Sequence, residues 1–335
     1  MKRKLASIKR IDRIEPHENA DRLEIAHVGG WPAVVAKGQF REGDIVVFCE
    51  VDTLLPPREE YAFLKKSCQH TEPDGTEWYR IKTAKLRGQL SQGLILSMDT
   101  FCRIASPVIP IVAGMDVTDM LGMRKYEKIC PVELAGKRYG DFPFFIQRTD
   151  EERIQNIGDL DFLGRQYSVT EKLDGSSCTV YRFGGHVGVC SRNTQWVQSE
   201  DNVYWRTAEK LRLPFHVNGY PKPIALQGEL VGPGIQGNPY KLQEHCIYIF
   251  NIWDIGDQQY WKSFDVRSFC VARQIPTVPC LGYYLPESRE EVMSFANGQS
   301  CLNQDVTREG LVYVSDPGSR VSFKAISNRY LLKNS

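Results

Sequence analysis

The chain has no apolar run approaching the roughly 18 residues that a membrane helix requires. Stretches such as Ile45–Cys49 and Cys246–Phe250 are strand-sized. The basic N-terminus lacks an apolar segment followed by a cleavage site, so no secretory signal is expected. None of the ten cysteines stands in a C-x-x-C pair. A disulfide framework belongs to short secreted chains, and a zinc site needs clustered ligands. Reduced, mostly buried thiols in a reducing compartment, cytoplasmic or nuclear, are therefore expected. The six histidines (17, 27, 70, 186, 216 and 245) are dispersed, and none is assigned to chemistry. Bulk charge is also missing: 42 basic residues face 41 acidic ones, a net charge of +1. There is no internal repeat and no low-complexity segment.

What is present is an ordinary globular composition, 42% hydrophobic and 25% charged over 335 residues. At roughly 150 residues per domain this suggests two domains and excludes a disordered or fibrous chain. Charge is unevenly spread. Lys2, Arg3, Lys4, Lys9, Arg10 and Arg13 meet only Asp12 near the start, and Arg320, Lys324, Arg329 and Lys333 meet no acid near the end. Such ends suit phosphate and equally suit a solvated surface.

The first half reads as β-rich. Short apolar stretches (Leu5–Ile11, Leu23–Val28, Ala33–Ala36, Ile45–Cys49, Gly93–Leu96) alternate with turn signals such as Gly29-Gly30 and Gly43-Asp44, the pattern of a small barrel or sandwich. The segment Pro56–Arg80 is a charged insertion, read as a loop or short helix. The run Ile14-Glu15-Pro16-His17-Glu18-Asn19-Ala20-Asp21-Arg22-Leu23 resembles the opening of OB-fold modules that bind RNA. On such a barrel RNA would meet a basic groove and aromatic platforms. Trp31, Phe40, Lys82, Lys85 and Arg87 are candidates, each equally consistent with a core or surface role. The expected organisation is an OB-like domain over residues 1–125, a linker over 126–145 and a second domain over 146–335. Thr149–Asn156, with a capping residue and acids in a first turn, reads as a helix start.

The chemistry lies in the second half. Val169-Thr170-Glu171-Lys172-Leu173-Asp174-Gly175-Ser176-Ser177 carries K-x-D-G after an alternating strand. Alone, this fits a surface hairpin. Four further segments follow in order: Val187–Arg192, Leu226-Gln227-Gly228-Glu229-Leu230, the aromatic Tyr248–Ile255 strand, and Arg308-Glu309-Gly310-Leu311-Val312 followed by Ser322-Phe323-Lys324. The ordered set resembles the nucleotidyltransferase motifs of ATP-dependent covalent ligases and mRNA-capping guanylyltransferases, over residues 148–333.

In that chemistry a neutral lysine amine attacks the α-phosphorus of a nucleotide, forms a phosphoramidate and releases pyrophosphate. An unperturbed lysine has a pKa near 10.4, so only about one in a thousand is neutral at pH 7.4. A nearby divalent cation lowers that pKa and also neutralises phosphate charge. The resemblance makes Lys172 the nucleophile. It places Asp174, Glu229 and Glu309 on Mg²⁺ or Mn²⁺, through metal-bound water, with Glu229 alternatively on the ribose hydroxyls. Phe250 matches the ring that stacks on the purine and Val312 the aliphatic residue on its other face. Glu171 sits where relatives read the adenine edge, Arg192 near the phosphate or incoming strand, and Lys324 on the α-phosphate. For each carboxylate the bland reading is a strand-end acid paired to a base. Relatives often carry a second lysine two positions after the last; here that position is Ile326.

Two departures narrow the family. Ser177 stands where capping enzymes and DNA ligases carry arginine, and eleven residues follow Lys324, which leaves no room for a C-terminal OB domain. An OB module placed first resembles the RNA ligases of the Naegleria and Deinococcus type. That resemblance implies an α+β chain, with an N-terminal OB-like β-barrel followed by a ligase-type nucleotidyltransferase domain of antiparallel sheets flanked by helices. It implies ATP with Mg²⁺ or Mn²⁺, and joining of an RNA 3′-hydroxyl to a 5′-phosphate at nicks in duplexes through lysyl-adenylate and RNA-adenylate. RNA is then the partner, no membrane is involved, and a monomer suffices. Lys85, Arg87 or Arg148 would take the place of the missing pyrophosphate-orienting motif. The alternatives are a guanylyltransferase of the capping type and a non-catalytic RNA-binding OB protein.

Overall fold

A computed structural model describes residues 3–72, 74–127, 136–316 and 318–333. The chain divides into two compact units, residues 1–128 with 331–335, and residues 129–330.

The first unit contains β1 (Ala6–Arg10), β2 (Arg13–Pro16), β3 (Leu23–Val28), β4 (Trp31–Ala36), β5 (Ile45–Cys49), β6 (Thr53–Leu55), β7 (Gln69–Thr71), β8 (Glu77–Arg80), β9 (Ala84–Leu86), β10 (Gln89–Ser91), β11 (Leu94–Ser97) and β12 (Arg124–Lys125). Two three-stranded sheets, β1-β5-β11 and β2-β3-β4, pack on one core that includes Ile8, Val28, Trp31, Phe48 and Phe101. Among the described residues their ladders are separate, so the expected OB-like domain is built of sheets that share one core. Within the Pro56–Arg80 insertion, a 3₁₀ turn over Glu59–Leu64 and one helical turn over Lys65–Cys68 lead into the unforeseen hairpin β7–β8.

Trp31 is fully buried and Phe40 is 6% exposed, so neither is a platform for a base. Their size places them in the core that a domain this small must fill. The Pro16–Leu23 turn has a structural task. His17 Nε2 lies 3.1 Å from Leu86 O, and the Asn19 amide donates to Arg87 O at 3.3 Å, which ties down the β9–β10 hairpin. Lys85 and Arg87 are exposed at the tip of that hairpin.

The second unit contains β13 (Arg138–Asp141), β14 (Glu152–Arg153), β15 (Tyr167–Lys172), β16 (Ser176–Phe183), β17 (His186–Cys190), β18 (Thr194–Trp196), β19 (Ile224–Val231), β20 (Cys246–Asp254), β21 (Gln259–Tyr260), β22 (Cys280–Tyr284), β23 (Gly310–Ser315) and β24 (Val321–Ile326). They form a seven-stranded sheet, β13-β18-β17-β16-β19-β20-β21, and a five-stranded sheet, β14-β24-β23-β15-β22. Part of the expected linker, residues 128–135, lies outside the described residues, and Arg138–Asp141 within it is the edge strand β13.

Each sheet buries one face in its own apolar core. On the seven-stranded sheet, Val180, Leu226, Leu230 and Ile249 pack with Val203 and Tyr204 of helix Val203–Lys210, and with Val266 and Phe269 of helix Ser263–Val271. On the five-stranded sheet, Tyr167, Val169, Leu311, Tyr313, Phe323 and Ala325 pack with Val292 and Ala296 of helix Arg289–Ala296. Tyr313 stacks on Phe323 with ring centroids 4.9 Å apart. Such a pair adds about 0.5–1.5 kcal/mol to the burial of its rings.

Strand alternation then decides where the polar residues go. With Val169, Leu311 and Phe323 buried, Thr170, Lys172, Val312 and Lys324 lie on the opposite face. The register sets Lys172 beside Gly310 and Val312 beside Lys324. A one-residue slip would invert both faces, so the core fixes the site.

Candidate active site

The K-x-D-G segment lies between β15 and β16 and so links the two sheets. Gly175 is dictated by proximity: a Cβ there would lie 2.5 Å from Leu230 O and 2.8 Å from Glu229 Cγ. Gly310 is dictated in the same way, since its Cβ would meet Ala325 O at 2.2 Å. These two glycines allow β19 and β24 to approach closely enough for their side chains to share one site.

Lys172 is at the centre. Its ammonium donates to Glu309 Oε2 at 2.7 Å, and its side chain keeps 27% of its surface exposed. Burial disfavours the charged amine, but Glu309, Glu229 and Asp174 together outweigh that, so the pKa of Lys172 is raised. Glu229 lies on the face of β19 opposite the helix-packed core, cross-strand from Ser177 and Tyr248. Its pKa is pushed up to about 8 by burial and by the neighbouring charges of Glu309 and Asp174, against the pull of Lys172 and Arg192. Asp174 is oriented by two tyrosines: its backbone N–H donates to Tyr240 Oη at 2.6 Å, and the Tyr330 hydroxyl donates to its carboxylate. Neither tyrosine carries a sequence signal, because each comes from outside the motifs.

Among the described residues, no three carboxylates, histidines or cysteines are placed to ligate one ion together. Three carboxylates around one ammonium nonetheless leave excess negative charge. That donor set fits a hard divalent cation that keeps most of its water, as Mg²⁺ does.

Phe250 is the extra residue of a β-bulge: Gln227 pairs with Asn251 and Gly228 with Ile249, which leaves Phe250 unopposed. Bulges re-aim side chains near active sites. Ile249 stays in the sheet's core while Phe250 packs beside Leu173, Val231, Tyr240 and Val278. Val312 is half-buried and comes from the other sheet, on the same face as Lys172.

Glu171 differs from its neighbours. It is 1% exposed and shares its strand face with Tyr167 and Val169, opposite Lys172. One carboxylate oxygen accepts from the Cys301 N–H at 2.7 Å, and the other is buried with no hydrogen-bond partner.

Arg192 and Lys324 meet on a residue not assigned from the sequence. Asp150 accepts from Arg192 at 2.8 Å and from Lys324 Nζ at 3.4 Å. Arg148 is exposed and donates to Asn193 Oδ1 at 2.6 Å. The helix start expected at Thr149–Asn156 does not form: Glu152–Arg153 is a strand parallel to β24, followed by a 3₁₀ turn over Ile154–Asn156. The acids are held by basic side chains and the open edge of β24 takes the backbone, so tertiary pairing overrides the local capping signal.

All nine described cysteines are free; Cys130 lies outside the described residues. Cys102, Cys280 and Cys301 are exposed, which departs from the expected burial of most thiols. Cys102 lies on helix Met98–Ala105 and Cys280 opens β22, both at solvent-facing positions. Among the described residues no helix is long and apolar enough to cross a membrane.

Comparison with known proteins defines the class in two parts. A family model of an OB-fold domain matches residues 5–98, and the RNA ligase family model matches residues 165–326. Among solved structures, the Naegleria gruberi RNA ligase with pyrophosphate is 39% identical, with 98% of each chain covered and a TM-score of 0.91. A variant of that ligase with ATP and Mn gives 39% identity and a TM-score of 0.90, and one with AMP and Mn gives 39% and 0.91, each covering 98% of both chains. A search of curated protein sequences finds no match. The chain belongs to the RNA ligase family, with an N-terminal OB-fold domain ahead of its ligase domain.

Proposed function

We propose that the chain is an ATP-dependent RNA ligase. It joins an RNA 3′-hydroxyl to a 5′-phosphate at nicks in duplexes, through a lysyl-adenylate and an RNA-adenylate, and acts as a monomer. The observation that carries the reading is Lys172 on the open face of its sheet, 2.7 Å from Glu309 and within the field of Glu229 and Asp174. The Naegleria ligase complexes with ATP and Mn support the choice of nucleotide and cation. The RNA ligase family match favours ligation over guanylyl transfer or simple RNA binding.

Each residue has a definable task. Lys172 Nζ attacks the α-phosphorus, forming a P–N bond as the bond to pyrophosphate breaks. The carboxylates hold Lys172 as an ammonium in the free chain, so their charge must be balanced before it can attack. Asp174, Glu229 and Glu309 would hold a divalent cation, which would supply that balance and offset phosphate charge. Burial of the amine then works in the opposite direction and favours its neutral form. Glu309 Oε2 is positioned to accept the departing proton. Tyr240 and Tyr330 fix Asp174. Phe250 and Val312 offer an aromatic and an aliphatic wall to the adenine. The Glu171 carboxylate lies on the strand face opposite Lys172 and is bonded to the Cys301 N–H, so it is not placed to read the adenine edge. Lys324 and Arg192 face phosphate, with Arg148 nearby.

The test is sealing of a nicked duplex with RNA placed in turn on each side of the break, in the presence of ATP and Mg²⁺. Sealing that requires an RNA 3′-hydroxyl end is the expected result. Preference for GTP would favour the guanylyltransferase alternative, and RNA binding without nucleotide consumption would favour the binding protein.

A further inference from the structure

Arg192 follows β17 of the seven-stranded sheet, and Lys324 lies in β24 of the five-stranded sheet. One carboxylate joins them: Asp150 Oδ2 accepts from Arg192 at 2.8 Å and Oδ1 accepts from Lys324 at 3.4 Å. Lys324 itself is 8% exposed, so its ammonium is held in a mostly dry position by this anion. The segment carrying Asp150 is anchored on both sides. Arg148 donates to Asn193, and Glu151 accepts from the Ser322 hydroxyl at 2.5 Å while pairing with Arg320 at 3.7 Å. From Glu152 the chain runs in parallel register beside Phe323 and Lys324.

Two oxygens on one centre, facing an arginine and a lysine, present the same acceptor geometry as two oxygens of a phosphate. We propose that Asp150 is a built-in stand-in for phosphate: it holds Arg192 and Lys324 in the nucleotide-free chain and yields them to the phosphates of a nucleoside triphosphate. This rests on the nucleotidyl-transfer reading of those two cations and adds to it a competing anion within the chain. Asp150 is then a positioning residue that keeps two like charges from different sheets together while the site waits. Its carboxylate lowers apparent nucleotide affinity, because each binding event must displace it.

The experiment is single-turnover self-adenylylation of the full chain as a function of ATP, with titration of inorganic pyrophosphate alongside. Removing the charge in Asp150→Asn is expected to lower the apparent KM for ATP and the Kd for pyrophosphate about twofold to fivefold, in line with loss of a partly exposed ion pair. The maximal rate constant should not rise. Asp150→Glu, which restores the charge, should return both constants toward those of the parent. Weaker or unchanged binding by Asp150→Asn overturns the proposal, because a merely structural bridge predicts one of those results. A readout on the parent chain needs no variant: the amides of Asp150 and Glu151 should exchange hydrogen faster when ATP is bound, and slower or equal exchange contradicts displacement. If the parent chain takes up no adenylate, the ligase reading fails. If it takes up adenylate while affinity and exchange move the wrong way, only the role of Asp150 fails.

Discussion

In the five-stranded sheet the open face of β15 and β24 carries two lysines, Lys172 and Lys324, whereas the seven-stranded sheet contributes a carboxylate from β19 and an aromatic ring from β20. Both sheets bury their other face against helices. They differ in whether a register shift places a site residue. The lysine face is reached by plain alternation along β15, β23 and β24, which pair without interruption from Lys172–Gly310 to Gly310–Ile326, although β15 shifts register against β22 between Val169 and Thr170. The carboxylate sheet needs a bulge to aim Phe250 away from its core. The proposed nucleophile and Lys324 thus sit on one sheet, while Arg192 and the proposed base-facing ring come from the other, the ring at a bulge. Both pKa values are raised, but for different reasons: burial disfavours the Lys172 cation and the carboxylates outweigh it, whereas burial drives Glu229 toward its neutral form against the pull of Lys172.

The sharpest way to break this comparison is Gly310→Ala. Its Cβ would sit 2.2 Å from a backbone oxygen of the adjoining strand, with no flexible side chain to give way. A loss of several kcal/mol, about 2–4, is expected from such overpacking. Urea unfolding should show it, and nucleotide uptake should fall in parallel. Phe250→Ala leaves the lysine wall intact. Base-aromatic stacking is worth about 1–3 kcal/mol. The apparent KM for ATP should therefore rise roughly tenfold to a hundredfold, with a small change in the melting temperature. Tyr330→Phe removes the hydroxyl that orients Asp174. Loss of one hydrogen bond to a charged group, about 1.5–3 kcal/mol, predicts a roughly tenfold or greater drop in the adenylylation rate constant, with KM for ATP nearly unchanged. Val312→Ala should give the smallest effect, about a fivefold rise in KM from lost half-buried methyl groups. Equal KM effects at Phe250 and Val312 would remove the distinction between the two walls.

Much of the site could be read before any coordinates because nucleotidyl transfer constrains residue types and their order. Lys172, Glu229 and Lys324 stand on alternating strands and Glu309 directly precedes one, where a side chain's face follows from its neighbours; Asp174 lies in the bend between β15 and β16. What could not be read came from tertiary encounters. Thr149–Asn156 has the capping residue and acids of a helix, yet its acids meet Arg192, Lys324 and Arg320, and its backbone joins β24. Tyr240 and Tyr330 reach Asp174 from 66 and 156 residues away, beyond any local pattern. Glu171 adjoins the nucleophile in sequence, but alternation turns its carboxylate into the far side of the sheet. Trp31 and Phe40 looked as suitable for stacking on a base as for a core, and only burial separates the two.

The central claim concerns one nitrogen atom. Protein incubated with ATP and Mg²⁺, then digested and sequenced by mass spectrometry, should carry an adenylate-sized increment on the peptide bearing Lys172, and a Lys172→Ala chain should carry none. An unmodified Lys172 peptide in the parent, or an equal increment in the variant, would contradict the account.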